Sequence, residues 1–333
     1  MDYREFINNK IKHVNPVGFE SEVSTKLFDF QQWIVKNALK VGKYAIFADC
    51  GLGKSAMQIE WAYRVQKHTG KPVLILCPLA VAPQTIKEAK TILGYEIKKF
   101  DGEQHPITIC NYEQLSNLPD DWGGVVLDES SILKNFQGQT KKTLIDKFAD
   151  VKYKLCCTAT PDPNDDTEIG NHSEFLGIMT RLAMLSRFFV HDGGETQKWR
   201  LKGYAEGQFI AWIKEWSIVI DNPNRYGFTQ KNYTLPNLIT EPVWLHTGAQ
   251  DGMLFADNKF DATKLHEELR RTQDERVGII ADLCSKTDQQ IIVWTLQNEE
   301  SSKLAKAIPD AVEVTGSMSQ DVKESRINDF VKI

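Results

Sequence analysis

The strongest chemical signal in the sequence is the run Ala48–Ser55, Ala-Asp-Cys-Gly-Leu-Gly-Lys-Ser, between an apolar stretch and a helical pattern. Its two glycines would let backbone N–H groups turn onto phosphate oxygens, and the N-terminus of the following helix would attract the same anion. Lys54 would then bridge the β- and γ-phosphates and Ser55 would bind Mg²⁺. The alternative is a glycine-rich turn without a ligand. The predicted nucleotide-binding residues in this loop are Gly51, Leu52, Gly53, Lys54 and Ser55.

An acidic pair, Asp128–Glu129, follows the apolar run Gly124–Leu127. Open α/β sheets bind ligands at the carboxyl ends of their strands, where this pair would lie. Asp128 is predicted to hold Mg²⁺ through a water molecule, and Glu129 to act as the general base on the attacking water. Together with Lys54 these two form the predicted catalytic set. An acidic pair of this kind also occurs at the solvated N-terminus of a helix, which is the structural alternative.

Two hydroxyls flank an alanine in Thr158-Ala159-Thr160-Pro161, which follows a further apolar run. Thr158 and Thr160 could form hydrogen bonds across to Glu129 and couple the state of the phosphates to a second domain. A helix N-cap followed by a turn would explain the same residues without a functional role.

The elements that position these residues are predicted from short, continuously apolar runs that alternate with helical periodicity. Strands alternating with helices indicate a parallel sheet covered on both faces, a doubly wound α/β domain. Helices are predicted over Phe30–Val41 and Lys54–Val65. The predicted strands are Tyr44–Ala48, Val73–Cys77, Ile107–Cys110, Gly124–Leu127 and Lys154–Cys157.

Beyond this domain the pattern changes twice. Residues 176–242 are rich in aromatic side chains and are predicted to form a helical insert, in which Trp212 and Trp216 could be either core residues or platforms for stacking nucleic-acid bases. Residues 243–333 return to an α/β pattern and predict part of a second domain. Its predicted elements are a long helix over about 262–284, a strand Gln290–Trp294, a helix 298–308, a strand Ala311–Thr315 and a last helix from Ser319.

Composition excludes several classes of protein. The chain has 333 residues, a net charge of −5 and 41% hydrophobic residues, which excludes disordered and disulfide-scaffold proteins and argues against a broadly basic nucleic-acid coat. Neither a signal peptide nor an apolar run long enough for a membrane span is predicted, so we expect a cytoplasmic protein without a membrane partner. The six cysteines and seven histidines lack metal-ligand spacing. We therefore expect buried, reduced, structural thiols.

Taken together, these motifs resemble superfamily 2 helicases and translocases, nearest the Swi/Snf-like branch and its bacteriophage-encoded, DEAD-like relatives. Leu27–Gln31 resembles the adenine-recognising glutamine motif, which implies that Gln31 reads the adenine edge and that Phe28 or Phe30 packs on its ring. The other matching segments are Ala48–Ser55 (motif I), Cys77–Pro83 (Ia), Cys110–Glu113 (Ib), Asp128–Ser131 (II), Thr158–Pro161 (III) and Val293–Asn298 (IV).

The resemblance implies a fold, a partner and a division of the chain. Residues 26–175 would be a first RecA-like domain after an N-terminal extension, 1–25, and residues 243–333 part of a second. In the family, motifs Ia and Ib contact the nucleic-acid backbone, which implies DNA contacts at Pro78, Leu79, Asn111 and Tyr112. The family also implies ATP and Mg²⁺ as cofactors, and a location in the cytoplasm of a bacterial or phage-infected cell. DNA versus RNA, polarity and oligomeric state stay open.

One departure from the family limits the expected activity. The family's second domain continues with motifs V and VI, whose arginines reach the γ-phosphate, whereas this sequence stops at Ile333 before either motif. We therefore expect a chain that binds ATP with Mg²⁺ better than it turns it over, unless it is part of a longer motor or a partner chain supplies the arginines. An ATP-driven translocase or helicase is the leading interpretation. The alternatives are a hydrolysis-deficient, ATP-binding interaction module and a P-loop kinase or small-molecule ATPase.

Overall fold

The computed structural model describes residues 14–78, 81–134, 138–162, 165–191, 199–229, 237–245 and 262–332. The chain divides into two compact units, Met1–Leu235 and Pro236–Ile333. The strands are β1 Lys43–Ala48, β2 Val73–Cys77, β3 Lys98–Lys99, β4 Ile107–Asn111, β5 Gly124–Asp128, β6 Tyr153–Thr158, β7 Phe189–His191, β8 Trp199–Leu201 and β9 Ser217–Ile220. The helices are α1 Asp29–Val41, α2 Lys54–Thr69, α3 Ala82–Glu88, α4 Gln139–Lys147, α5 Ile169–Leu176, α6 Arg181–Phe188, α7 Glu206–Trp216, α8 Ala262–Arg271, α9 Gln273–Ser285, α10 Asn298–Ala307 and α11 Gln320–Lys332.

A seven-stranded sheet forms the centre of the first unit, in the order β3-β4-β2-β5-β6-β1-β9. All its neighbouring strands are parallel. In the register of the central strands, Phe47 lies opposite Thr158 and Asp128 lies opposite Cys157. The order β5-β6-β1 therefore brings the acidic pair, the Thr-Ala-Thr-Pro segment and the glycine-rich loop to one edge.

The sheet is buried on both faces, so its strands are continuously apolar. Alternate residues of β1 point in opposite directions: Ile46 packs in the core beneath α1 and α2, whereas Phe47 packs in the core beneath α4–α7. The doubly wound parallel sheet predicted from the sequence is confirmed. Each predicted strand of this unit begins and ends within one residue of the observed strand.

The two helices nearest the glycine-rich loop end where glycine allows the chain to turn. Gly42, with φ of 84°, closes α1 by donating its N–H to the Ala38 carbonyl. Gly70, with φ of 68°, closes α2 in the same way on Gln66. A left-handed C-terminal residue is favoured by glycine because it has no Cβ. These closures fix the directions in which β1 and β2 begin.

Residues 176–242 differ from the predicted helical insert. Their described part contains the helices α6 and α7, but also the antiparallel pair β7–β8 and the strand β9, which pairs with β1 in the main sheet. Trp212 and Trp216 are 2% and 0% exposed, in the core beneath that sheet. Their burial leaves no ring face for a nucleic-acid base, so the core interpretation is correct for both.

The second unit is helical over its described part. The predicted long helix is interrupted at Thr272 and forms α8 and α9. The strands predicted over 290–294 and 311–315 are wrong for the residues described: both segments lack strand pairing, and Trp294 is 91% exposed. An apolar run forms a strand only where a neighbouring strand satisfies its N–H and C=O groups, and the described part of this unit contains no such neighbour. No described helix has the length and apolar character needed to cross a bilayer.

Candidate functional site

The glycine-rich loop takes the shape of an anion-binding turn between β1 and α2. Gly51 and Gly53 have φ of 82° and 75°, and Gly53 is the N-cap of α2. An added Cβ at Gly51 would meet no atom within 4 Å, so the loop is open to solvent there. The Lys54 ammonium lies against the loop, donating to the carbonyls of Ala48 at 2.9 Å and Asp49 at 3.3 Å. The arrangement offers backbone N–H groups, a helix N-terminus and one cation to a single anion.

Strand β9 anchors the start of this loop, which the sequence did not predict. The N–H of Asp49 donates to the carbonyl of Ile220 at 2.9 Å, just where β9 ends. The apolar run Ile218–Ile220 is the available sequence signal. It directly follows a helical pattern rich in aromatic residues, so the sequence alone does not separate it from the predicted helical insert. Because β9 supports the loop, part of the predicted insert belongs to the site.

Gln31 connects the N-terminus of α1 to the loop. Its Nε2 donates to the Leu52 carbonyl at 3.0 Å, and its Oε1 accepts from the Phe28 N–H at 3.1 Å. The side chain is 4% exposed and sits so close to Gly53 that a Cβ there would lie 2.3 Å from the amide nitrogen. The amide predicted to read adenine is thus held by backbone groups, whereas the neighbouring Phe28 ring is 49% exposed.

Asp128 ends β5 in a buried position, 6% exposed. Burial, with a smaller contribution from the charge of Glu129, raises the pKa of its carboxyl to about 6, although the side chain of Gln58 and the Lys54 ammonium oppose the shift. Gln58, which the sequence did not single out, is fully buried four residues after Lys54 on α2. A polar residue on the buried face of a helix was the signal that could have identified it.

Glu129 and Thr158 are in contact. The Thr158 hydroxyl donates to Glu129 Oε2 at 3.2 Å, and the Thr160 N–H donates to the Thr158 hydroxyl oxygen at 3.1 Å. Glu129 has φ of 50°, a left-handed conformation that is uncommon for a residue with a side chain. Its own N–H donates to Asp128 Oδ1 at 3.2 Å. The structure therefore brings the predicted base and the predicted coupling residues together.

Two of the residues predicted to contact nucleic acid, Asn111 and Tyr112, are buried. Asn111 and Tyr112 are 3% and 7% exposed, and the Tyr112 hydroxyl donates to the Asp128 carbonyl at 2.7 Å. The Tyr112 side chain thus braces the end of β5, beside the acidic pair. A contact of either residue with DNA stays a prediction. Pro78 is half-buried at the end of β2, and Leu79 lies outside the described residues.

The thiols are less uniform than expected. Cys50, in the glycine-rich loop, is exposed and Cys284 is half-buried, whereas the other four cysteines are buried. Among the described residues no group of three or more His, Cys, Asp or Glu side chains could hold a metal ion. A Mg²⁺ ion would instead fit the donors that phosphate-bound Mg²⁺ uses, a hydroxyl and one carboxylate, with water and phosphate completing its shell. Ser55 and Asp128 supply that donor set at one edge of the sheet.

Comparisons with known proteins identify the fold. No protein-family model matches the sequence, and no curated protein matches it. The chain is similar to the Sulfolobus solfataricus SWI2/SNF2 ATPase core in complex with dsDNA, with a TM-score of 0.50 and 19% identity over 62% of this chain and 47% of that one. It is also similar to the UvsW helicase from bacteriophage T4, with a TM-score of 0.39 and 14% identity over 54% of this chain and 66% of that one.

This chain thus covers about half the length of the SWI2/SNF2 core. The likeness to that core shows a shared RecA-like α/β fold, as the sequence predicted. At such low identity it transfers no residue role by itself.

Proposed function

We propose that the first unit binds ATP with Mg²⁺ and hydrolyses it to drive movement along DNA. The observation that carries this proposal is the contact between Thr158 and Glu129 at the sheet edge that also holds the glycine-rich loop. A loop of that shape alone would suit any phosphate ligand. A carboxylate oriented beside it supplies the base that hydrolysis needs.

The loop residues would bind the triphosphate. The backbone N–H groups of Gly51–Gly53 and the N-terminus of α2 would hold phosphate oxygens, which would draw the Lys54 ammonium away from its two carbonyl partners. Ser55 and Asp128 would hold Mg²⁺, which when bound neutralises charge on the β- and γ-phosphates. Phe28, half-exposed beside the loop, would pack against the adenine ring.

Glu129 would take a proton from water as the water oxygen bonds to the γ-phosphorus. The bond between that phosphorus and the β–γ bridging oxygen breaks, which yields ADP and phosphate. The hydroxyl of Thr158 would hold the carboxylate in the orientation that this proton transfer requires. Thr160, whose N–H contacts the same hydroxyl and whose side chain is exposed, would transmit the state of the site.

DNA is the partner we propose, because a double-stranded DNA is bound to the SWI2/SNF2 core that shares this fold.

Nucleotide binding can be tested without turnover. Cys50 is exposed in the middle of the loop, so ATP with Mg²⁺ should slow its reaction with a thiol reagent in proportion to occupancy. Cys284, half-buried in the second unit, provides an internal control whose labelling should not change. Equal labelling of Cys50 with and without nucleotide would refute the binding site.

Hydrolysis is tested by steady-state ATPase with and without single- and double-stranded DNA. Glu129→Gln should lower turnover by about 10²–10⁴-fold, because it removes the base with little change in shape. The matched control is Glu103→Gln, which changes an exposed carboxylate away from the site. If Cys50 is protected but no nucleic acid raises turnover above background, the chain is an ATP-binding module and the motor proposal fails.

A further inference from the structure

The residue proposed as the base sits on a strained turn. Glu129 has φ of 50°, and the chain continues from it into the 3₁₀ turn Ser130–Lys134. The Ile132 N–H donates to the Glu129 carbonyl at 3.2 Å, so the turn itself helps to hold the left-handed residue. Such conformations persist where surrounding contacts over-determine them. The contacts that restrain the Ser130–Lys134 turn therefore matter for the position of Glu129.

Helix α5 contacts both ends of that turn through two consecutive side chains. His172 Nε2 shares a hydrogen bond of 3.1 Å with the Ser130 hydroxyl, at the beginning of the turn. Asn171 Nδ2 donates to the Lys134 carbonyl at 3.3 Å, at its end. Asn171, His172 and Ser130 are all 0% exposed. Two adjacent residues of one helix thus fix the two ends of the five-residue turn that follows Glu129.

Other side chains fix these two residues in turn. The Lys141 ammonium, from α4, donates to Asn171 Oδ1 at 3.0 Å, which leaves the amide nitrogen directed at Lys134. The same ammonium pairs with Glu174 at 2.5 Å, and its side chain is only 7% exposed. The His172 ring meets the Phe47 ring edge-on at 5.1 Å, and burial lowers the pKa of this histidine to about 4, so the ring is neutral at pH 7.

Burying so many polar groups is costly unless each of them is hydrogen-bonded, and a network that is satisfied in this way holds its members rigidly. A helix that only covered the sheet could do so with apolar residues, as α6 does with Met184, Leu185 and Phe188. Helix α5 instead directs its polar side chains at the turn behind the acidic pair. Ser173, on the same helix, makes a partly buried hydrogen bond that does not reach the turn: its hydroxyl donates to the Met179 carbonyl at 2.9 Å.

We infer that Asn171 and His172 are positioning residues, which hold the Ser130–Lys134 turn at both ends and thereby fix Glu129 in its left-handed conformation beside Thr158. This inference rests on the proposed hydrolysis only for its consequence on rate. The restraint on the turn is a separate property. Neither side chain contacts the nucleotide loop, so loss of the restraint should leave nucleotide binding intact.

The test compares His172→Leu with Ser173→Ala, each of which removes one hydrogen bond made by a buried residue of α5. We expect His172→Leu to lower kcat by about 100-fold, since a displacement of about 1 Å in a catalytic group can cost that much, with KM and nucleotide protection of Cys50 unchanged. Ser173→Ala should retain most of kcat. His172→Gln, whose amide can still bond to Ser130, should restore part of the loss. Equal effects of His172→Leu and Ser173→Ala would overturn the inference.

Two further measurements keep the outcome clear. Ser130→Ala removes the same hydrogen bond from the other side with little change in packing. It should reproduce the loss of kcat, and it replaces His172→Leu if that variant does not fold. Amide hydrogen exchange at residues 129–134 reports the restraint whether or not the chain turns over ATP. Unchanged exchange in both variants would refute the restraint, whereas faster exchange in an inactive chain would support the restraint and refute only the proposed hydrolysis.

Discussion

Replacing Lys154 by methionine should stabilise the protein at neutral pH. Lys154 is the second residue of β6 and is 2% exposed. Its ammonium donates to the Phe175 carbonyl at 3.1 Å and lies 5.3 Å from the centre of the Phe175 ring. Burial and, to a lesser extent, the charge of Lys43, which lies opposite it on β1, lower the pKa of this lysine from 10.5 to about 8. The folded protein therefore holds this proton less firmly than the unfolded chain.

The size of the effect follows from the shift of the pKa. Between pH 8 and 10.5 the unfolded chain binds more protons at this position, so the free energy of unfolding rises with pH there. The full shift lowers the free energy of unfolding by about 3 kcal/mol, and this penalty is fully present below pH 8. Methionine keeps the length of the side chain without the charge but gives up a hydrogen bond of about 1 kcal/mol. Lys154→Met should thus gain about 2 kcal/mol at pH 7.

The assay is urea unfolding of both proteins at pH 7 and pH 9.5. At pH 9.5 about 2 kcal/mol of the penalty has been relieved in the unsubstituted protein, so the two free energies of unfolding should nearly coincide. Lys152→Met, at an exposed lysine two residues earlier, is the matched control and should give a difference independent of pH. If Lys154→Met destabilises the protein equally at both pH values, the ammonium is stabilised in place and the reasoning is refuted.

Three further substitutions test the site and its support. Gly53→Ala places a side chain on a residue with φ of 75° and puts its Cβ 2.3 Å from the buried Gln31 amide nitrogen, so nucleotide should no longer protect Cys50 from the thiol reagent. Gly51→Ala, whose Cβ would have open space around it, should retain more of that protection. Thr158→Val keeps the shape but removes the hydroxyl on the proposed base, so kcat should fall about 10-fold with nucleotide affinity unchanged; an equal fall in affinity would contradict the assigned role. Glu60→Gln breaks the 2.7 Å pair with Arg64 at a fully buried carboxylate and should cost about 3 kcal/mol in urea unfolding; a loss below about 1 kcal/mol would contradict it.

Local patterns predicted the first sheet because its strands are buried on both faces. A run such as Val73–Cys77 is apolar at every position, and flanking prolines mark its ends. The glycine-rich loop could be recognised for a related reason. Positive φ angles at positions 51 and 53 favour glycine, and Lys54 and Ser55 follow directly. In both cases the determining physics acts within a few residues, so the sequence displays it.

Contacts between distant segments could not be predicted in this way. Tyr112 was expected at a surface, but its hydroxyl finds the Asp128 carbonyl 16 residues later in the chain. The amide of Gln31, which is predicted to read adenine, also bonds to Leu52 and Phe28, and these contacts could not be read from the sequence. In the second unit, Gln290–Trp294 has the composition of a strand, yet it lacks pairing partners among the described residues. Each of these outcomes depends on which other segment arrives beside the residue.

The order of the strands supports the coupling role proposed for Thr158. Strand β6 lies between β1, which leads into the glycine-rich loop, and β5, which ends at the acidic pair. Adjacent strands are about 4.8 Å apart, so the loop and Glu129 originate about 10 Å from each other across the sheet. A bound γ-phosphate and the base that acts beside it would therefore lie on opposite sides of the β6 end. Because the Thr158 hydroxyl donates to the Glu129 carboxylate at 3.2 Å, a displacement of the end of β6 would also move that carboxylate.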